Sequence, residues 1–173
     1  MDQQLQELKS KEKLFTTISQ IKINVLTWSS NIEKAQIDET VPDTFLSKYP
    51  LVFDTDIFVI GIQDTYKISA MNFMNLDSQM SEISARWTEV LGNYFRIKNP
   101  TFQMVKQSHF GDLFMIVFAT SKIFPFITNI QLDGIQFSVY KKLSKKGAAM
   151  IRFNIYDSSL IFINAHLTSD LDY

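Results

Sequence analysis

The 173 residues are enough for one domain with a substantial core and too few for two domains of ordinary size. Hydrophobic residues make up 46% and charged residues 20%, which is the composition of a globular protein rather than a disordered one. Lys and Arg number 17 against 18 Asp and Glu, and this balance argues against a generally basic nucleic-acid binder. The absence of Cys excludes disulfides, thiolate metal sites and cysteine nucleophiles.

The sequence predicts neither secretion nor membrane insertion. It starts with Met1-Asp2-Gln3-Gln4, without the basic segment and apolar run that are typical of a secretory signal. The longest uninterrupted apolar stretch, Leu113–Ala119, is far shorter than the ~20 residues of a membrane-spanning helix. We therefore expect no transmembrane segment and a cytoplasmic location, including a place in a cytoskeletal or other large assembly.

Helices and strands alternate in the first half of the chain. Apolar residues at helical spacing predict an amphipathic helix over residues 1–20, and the alternation in residues 21–28 predicts a strand. A Pro-Asp pair predicts a short helix over residues 42–49. The nearly continuous apolar run at residues 56–63 is typical of a strand covered on both faces, and helical spacing returns at residues 78–95.

The second half of the chain is predicted to be rich in strands. Apolar runs predict strands at residues 101–105, 112–119, 126–132, 137–140, 149–156 and 159–165. Asp133-Gly134 and Asp157-Ser158 are typical of turns between consecutive runs. This order predicts one α+β (mixed α/β) unit over residues 21–173, preceded by the helix at residues 1–20.

Several short motifs occur along these elements in a fixed order. They are T-W-S-S-N at 27–31, P-D at 42–43 with G-I-Q-D at 61–64, Trp87 with Tyr94, G-D-L at 111–113, F-P-F-I at 124–127, K-G-A-A-M-I-R-F at 146–153 and F-I-N-A-H-L at 162–167. Together they resemble the inositol polyphosphate 5-phosphatases of the endonuclease/exonuclease/phosphatase superfamily, over roughly residues 21–170. The resemblance implies one half of a two-sheet sandwich with flanking helices. The family's later G-D-x-N and S-D-H motifs have no counterpart here.

The resemblance also implies a phosphomonoesterase site built around one Mg²⁺ ion, with altered ligands. Where the family has a metal-binding Asn and Glu, this chain has Ser29 and Asp64. Both side chains are shorter than the family's, so both are weak candidate metal ligands, although water-bridged coordination by Asp64 stays feasible. The alternative is that Ser29 and Asp64 simply end strands, because both residue types are common in turns.

Four further positions carry the remaining chemistry that the resemblance implies. His166 corresponds to the family His that faces the scissile phosphate as donor or acid, and Asn164 lies on the same strand face. Lys146 corresponds to a Lys near substrate phosphate, and Lys145 replaces a family Asn. The alternatives are an ordinary buried polar histidine and a solvated basic turn. A Ser159-His166-Asp170 triad is not favoured, because no nucleophile elbow accompanies it.

Three functions stay open at this point. The substitutions and the missing half favour a non-catalytic pseudoenzyme that serves as a structural or interaction subunit. The alternative is a Mg²⁺-dependent phosphoinositide or inositol polyphosphate 5-phosphatase that a second half or partner chain completes, and a third is ligand binding without hydrolysis. The resemblance implies that each half contributes one sheet, and a lone half would leave the apolar inner face of its sheet uncovered. We therefore expect an obligate protein partner or a homo-oligomer.

Overall fold

Two β-sheets and two α-helices make up the part of the chain that the computed structural model describes, which is residues 20–30, 37–48, 54–65, 76–136 and 147–167. In chain order the elements are β1 (Ile23–Ser29), α1 (Val41–Leu46), β2 (Ile57–Gln63), α2 (Leu76–Lys98), β3 (Phe102–Phe110), β4 (Leu113–Thr120), a 3₁₀ turn (Phe124–Phe126), β5 (Ile127–Gln136), β6 (Gly147–Ile155) and β7 (Ser158–His166). Within these ranges no helix is both long and apolar enough to cross a membrane.

The first sheet has the strand order β1-β2-β4-β3, with β1 parallel to β2 and the other neighbours antiparallel. Its two central strands are apolar at almost every position because both of their faces are covered. Successive side chains of β2 point to opposite faces: Phe58 and Ile60 pack with the helices, whereas Val59 between them faces the second sheet. On the helix side, the Trp87 and Phe95 side chains of α2 are fully buried.

The second sheet is antiparallel, has the order β5-β6-β7 and packs face to face on the first sheet. Strand β6 alternates regularly between buried and half-buried positions, as a strand with one covered face should. Its inward residues Ile151, Phe153 and Ile155 pack against Ile57 and Val117 of the first sheet. The mixed α+β class with two sheets and flanking helices is therefore confirmed.

The expectation that this chain would form only one sheet of the sandwich is wrong. Strands β5 to β7 pair antiparallel with one another and cover the inner face of the first sheet, so both sheets have strands from this chain. Strand β7 lies over β2 and β4, and β5 lies over β3. The edge strands β1 and β7 are consequently on the same side of the sandwich, which we call the open side. Exposed apolar side chains occur on both of these edge strands: Ile23 and Val25 on the core-facing side of β1, and Ile161 and Ile163 on the face of β7 that points away from the first sheet.

Asp133-Gly134 is not a turn, contrary to the sequence-based expectation. Both residues lie inside β5, where they pair with Met150 and Ala149 of β6. The physical reason for the glycine is close packing, since a Cβ atom there would lie 2.5 Å from the Phe110 ring. The β6–β7 turn is formed by residues 156–157, one residue earlier than predicted. The predicted helix at residues 1–20 and the predicted strand at 137–140 are outside the described residues, except for residue 20.

Candidate functional site

The ends of three strands meet at one edge of the sandwich. Because β1 and β2 are parallel and in register, with Ser29 opposite Gln63, their carboxyl ends coincide there. Asp64 directly follows β2, and His166 ends β7 in the second sheet. Pairing of His166 with Gly147 places the start of β6 at the same edge. The topology therefore gathers polar residues that are far apart in the sequence.

Asp64 has a specific and unusual conformation. Its φ of 53° lies in the left-handed region, which Asp tolerates better than most residues do. The Ser29 hydroxyl donates a 2.7 Å hydrogen bond to Asp64 Oδ2, and the Ser30 hydroxyl donates to the Asp64 main-chain oxygen at 3.1 Å. Backbone conformations of this kind are concentrated at functional sites. The Ser29 contact therefore orients the Asp64 carboxylate, and the Ser30 contact holds its main chain.

Asp112, in the turn between β3 and β4, is a candidate site residue that no sequence motif marks. The antiparallel register of β2 and β4 pairs Ile62 with Phe114, so two residues further along Asp112 lies beside Asp64. Thr65 donates to the Asp112 main-chain oxygen from its amide at 3.1 Å and from its hydroxyl at 2.8 Å. The residue is only 3% exposed. Its position follows from strand register, which no local motif reveals.

Asp64, Asp112 and His166 form a compact cluster that is suited to a cation. One potential ligand atom from each lies within 4.8 Å of the others. His166 Nδ1 is 3.9 Å from Asp64 Oδ1, and both side chains are 22% exposed, so solvent reaches them. Two carboxylates at this separation repel each other, most strongly where one is desolvated, and a divalent ion or a protonated imidazole relieves that repulsion. The donor set therefore fits a bound divalent cation.

Asn164 lies behind this cluster and connects the two sheets. Its side chain is buried, and its Nδ2 donates to the main-chain oxygens of Ile62 at 3.1 Å and Phe114 at 3.0 Å. Its Oδ1 accepts from Gln63 Nε2 at 3.3 Å. A Cβ atom at Gly61 would lie 3.1 Å from the Asn164 Cγ atom, so glycine allows this close approach. These contacts indicate a positioning role for Asn164, and its predicted catalytic role stays a prediction.

The structure brings together three of the residues that the sequence singled out, namely Ser29, Asp64 and His166. The Ser29 hydroxyl is directed at the Asp64 carboxylate. Lys145 and Lys146 are outside the described residues, so their predicted phosphate contacts stay predictions. Ser159 lies at the far end of β7, about 23 Å along the strand from His166, which rules out the triad.

Comparison with known proteins identifies the family. The sequence profile of Endonuclease/Exonuclease/phosphatase family 2 matches residues 26–172. The chain belongs to this family. Rat Synaptojanin-2 is 24% identical, with 95% of this chain and 12% of that protein aligned. The Saccharomyces cerevisiae polyphosphatidylinositol phosphatase INP53 is 23% identical over 94% of this chain and 14% of its own length. The chain thus spans only a small part of these relatives, whose names describe phosphoinositide phosphatases or synaptojanins.

Solved structures confirm the endonuclease/exonuclease/phosphatase fold. The inositol polyphosphate 5-phosphatase domain of SPsynaptojanin, solved with inositol (1,4)-bisphosphate and calcium, superposes with a TM-score of 0.61 at 20% identity. The match covers 88% of this chain and 42% of that one. A Cimex nitrophorin, solved as a ferrous NO complex, gives 0.57 at 12% identity, with 87% and 48% covered. Proteins with this one fold thus bind very different ligands, so the chemistry of a chain depends on the residues of its site rather than on the fold.

Proposed function

We propose that this chain is a non-catalytic, inositol polyphosphate 5-phosphatase-like half-domain that acts as a structural or interaction subunit of a larger assembly. The observation that carries the proposal is the open side. Among the described residues both sheets end there, at β1 and β7, and an edge strand presents a row of main-chain groups to a further strand. An obligate protein partner, or a second copy of the chain, would cover this side.

Exposed apolar side chains support the same proposal. Ile23 and Val25 are in register with Ile57 and Val59, whose side chains belong to the core between the sheets, yet Val25 is 59% exposed. On β7, Ile163 is 64% exposed, on the face that points away from the first sheet. Covering these residues together with Ile161 would recover about half of the ~2 kcal/mol that each buried aliphatic side chain contributes, or about 4 kcal/mol in total. The match to 42% of the SPsynaptojanin domain leaves room for such a complement.

The test is to measure association of the full chain and of variants with a charged open side. We expect light scattering to show self-association, or affinity purification from cells to yield a stoichiometric partner, with Val25→Lys and Ile163→Lys weakening either complex. Ile97→Lys is the matched control, because Ile97 is 74% exposed on α2, away from the open side. A wild-type chain that stays monomeric and partnerless in both experiments, with cooperative unfolding, would refute the proposal. A cytoplasmic location, which we also propose, is tested by microscopy of the tagged chain.

We propose as a second candidate that the completed assembly is a Mg²⁺-dependent phosphoinositide or inositol polyphosphate 5-phosphatase. The observation that favours it is the convergence of Asp64 and His166 at one edge. When bound, Mg²⁺ would neutralise charge on the phosphoryl group. Asp64 would hold the ion, Ser29 would orient that carboxylate, and His166 would donate to the phosphoryl oxygen or leaving group. Lys145 and Lys146 would bind substrate phosphate.

Phosphate release from inositol trisphosphate with Mg²⁺ tests this second candidate, using the chain with and without its purified partner. We expect release only from the complex, and we expect His166→Ala to abolish it. His109→Ala is the control, because His109 is exposed on β3 and is not one of the clustered residues. Equal release by both variants would contradict the assigned role of His166. Absence of turnover by a stable complex would leave the interaction subunit as the function.

A further inference from the structure

The cluster of Asp64, Asp112 and His166 supports metal binding of a kind that the family resemblance does not imply. We propose that it binds a divalent first-row transition ion, with Zn²⁺ as the reference ion, and that Asp112 is one of the ligands. The resemblance implied Mg²⁺ at the Ser29 and Asp64 positions, so the ion and the third ligand both differ. The site requires no hydrolysis. It shares Asp64 and His166 with the second candidate function, and it is independent of the open side.

The chemistry of the donors selects the type of ion. Mg²⁺ prefers oxygen ligands in near-octahedral geometry, whereas an imidazole nitrogen favours the later first-row ions. Here His166 supplies nitrogen, and Asp64 and Asp112 supply carboxylate oxygens. The two carboxylate charges balance those of a divalent ion. The mixed set of nitrogen and oxygen therefore favours Zn²⁺ over Mg²⁺.

The geometry needs only a small adjustment to bind such an ion. An ion ~2.0–2.2 Å from each donor keeps any two donors within about 4.4 Å of each other. The separation between His166 Nδ1 and Asp64 Oδ1 is 3.9 Å, already inside that limit, and the whole set lies within 4.8 Å. Side-chain rotation of a few tenths of an ångström closes the difference. The backbone is fixed by the paired ends of β2, β4 and β7.

The surroundings of the cluster are those of a supported metal site. The Ser29 hydroxyl bonds to Asp64 Oδ2, which leaves Oδ1 as the oxygen nearer His166. Outer contacts of this kind orient metal ligands. Thr65 fixes the Asp112 backbone through two hydrogen bonds. Asp112 is buried while Asp64 and His166 are partly exposed, so an ion can enter from solvent and meet a preformed carboxylate.

The competing explanation is a structural contact between His166 and Asp64 at which no metal binds. The two explanations differ in a direct measurement of metal affinity. We would titrate the full chain with Zn²⁺ and separately with Mg²⁺ by calorimetry, and follow Tm with each ion. We expect Zn²⁺ to bind with one-to-one stoichiometry, at least about tenfold more tightly than Mg²⁺, and to raise Tm.

Variants assign the site to these residues. We expect Asp112→Asn and His166→Gln each to weaken Zn²⁺ binding by at least about tenfold. His109→Gln is the matched control for the imidazole, and Asp157→Asn, in the exposed β6–β7 turn, is the control for the carboxylate. Circular dichroism checks the fold of each variant. If Asp112→Asn does not fold, His166→Gln and the ratio of Zn²⁺ to Mg²⁺ affinity decide the question.

Three results would overturn the proposal: no Zn²⁺ binding, Mg²⁺ binding as tight as that of Zn²⁺, or Zn²⁺ binding that His166→Gln leaves unchanged. The outcome is separable from the functions proposed above. Zinc binding without phosphate release by the completed complex would support this site and remove only the phosphatase. Mg²⁺-dependent release by a protein that does not bind Zn²⁺ would do the opposite.

Discussion

Replacing Asn164 with alanine tests the connection between the two sheets. The asparagine donates two hydrogen bonds to buried main-chain oxygens, those of Ile62 and Phe114, and alanine supplies neither. Each buried acceptor left without its donor costs ~1–3 kcal/mol, and the lower half of this range applies because a carbonyl has a second lone pair. Gln63 keeps its 2.8 Å hydrogen bond to the Ala165 oxygen and adds little to the loss. We therefore expect a destabilisation of about 3 kcal/mol.

For a chain of this size, that loss corresponds to a decrease of roughly 6–12 °C in Tm. Urea unfolding of the full chain, followed by circular dichroism, measures the free energy directly, and an unchanged m-value would show that the unfolding transition is the same. Asn154→Ala is the matched control, because Asn154 is half-buried on the outward face of β6, where we expect a change within ~0.5 kcal/mol. Equal destabilisation by the two variants would refute the proposed connection.

Two further predictions concern other parts of the fold. Burial, followed by the hydrogen bond to Asp43, raises the pKa of Tyr94 to about 12 from its ordinary 10. The stabilisation that the neutral tyrosine contributes is therefore complete below pH 10 and is lost as pH rises towards 12. In urea unfolding, Tyr94→Phe should lose less stability than wild type between pH 9 and pH 11.5. Gly134→Ala should destabilise the fold by ~1–3 kcal/mol, because the added Cβ meets the Phe110 ring. Gly92→Ala, with open space around it in α2, should stabilise the fold by up to ~1 kcal/mol in thermal unfolding. A change of stability with the same sign in both variants would contradict the close packing of Gly134 on Phe110.

The elements that local patterns specify could be predicted from the sequence. The 3.6-residue spacing located α2, which extends from Leu76 to Lys98 against the predicted 78–95. The continuous apolar run identified β2 as covered on both faces, and its burial agrees. In both cases the period of the apolar residues directly reflects the number of covered faces. The ends of these two elements differ from the predicted ones by at most three residues, because they depend on contacts outside the element.

The arrangement of the strands depended on contacts that local sequence does not encode. Asp133-Gly134 is a typical turn pair, yet it continues β5 because pairing with β6 and packing on Phe110 determine the local conformation. The division of the strands into two sheets has the same origin. Apolar side chains of different strands face different layers: Phe114 packs with the helices and Phe153 with the core between the sheets.

The candidate site likewise contains residues that sequence motifs identify and one residue that only strand register places there. Ser29, Asp64 and His166 could be identified because each follows a recognisable strand motif. Asp112 could not, since a Gly-Asp pair before a strand is typical of an ordinary hairpin turn, and only the β2–β4 register places it beside Asp64. Motif comparison interprets Ser29 and Asp64 as losses of longer ligands. Together with Asp112 they form a different arrangement, in which the Ser29 hydroxyl orients the shorter Asp64 carboxylate and the Asp112 carboxylate lies opposite it. The substitutions therefore do not by themselves imply an empty site, and the affinity of the cluster for Zn²⁺ separates lost metal binding from altered metal binding.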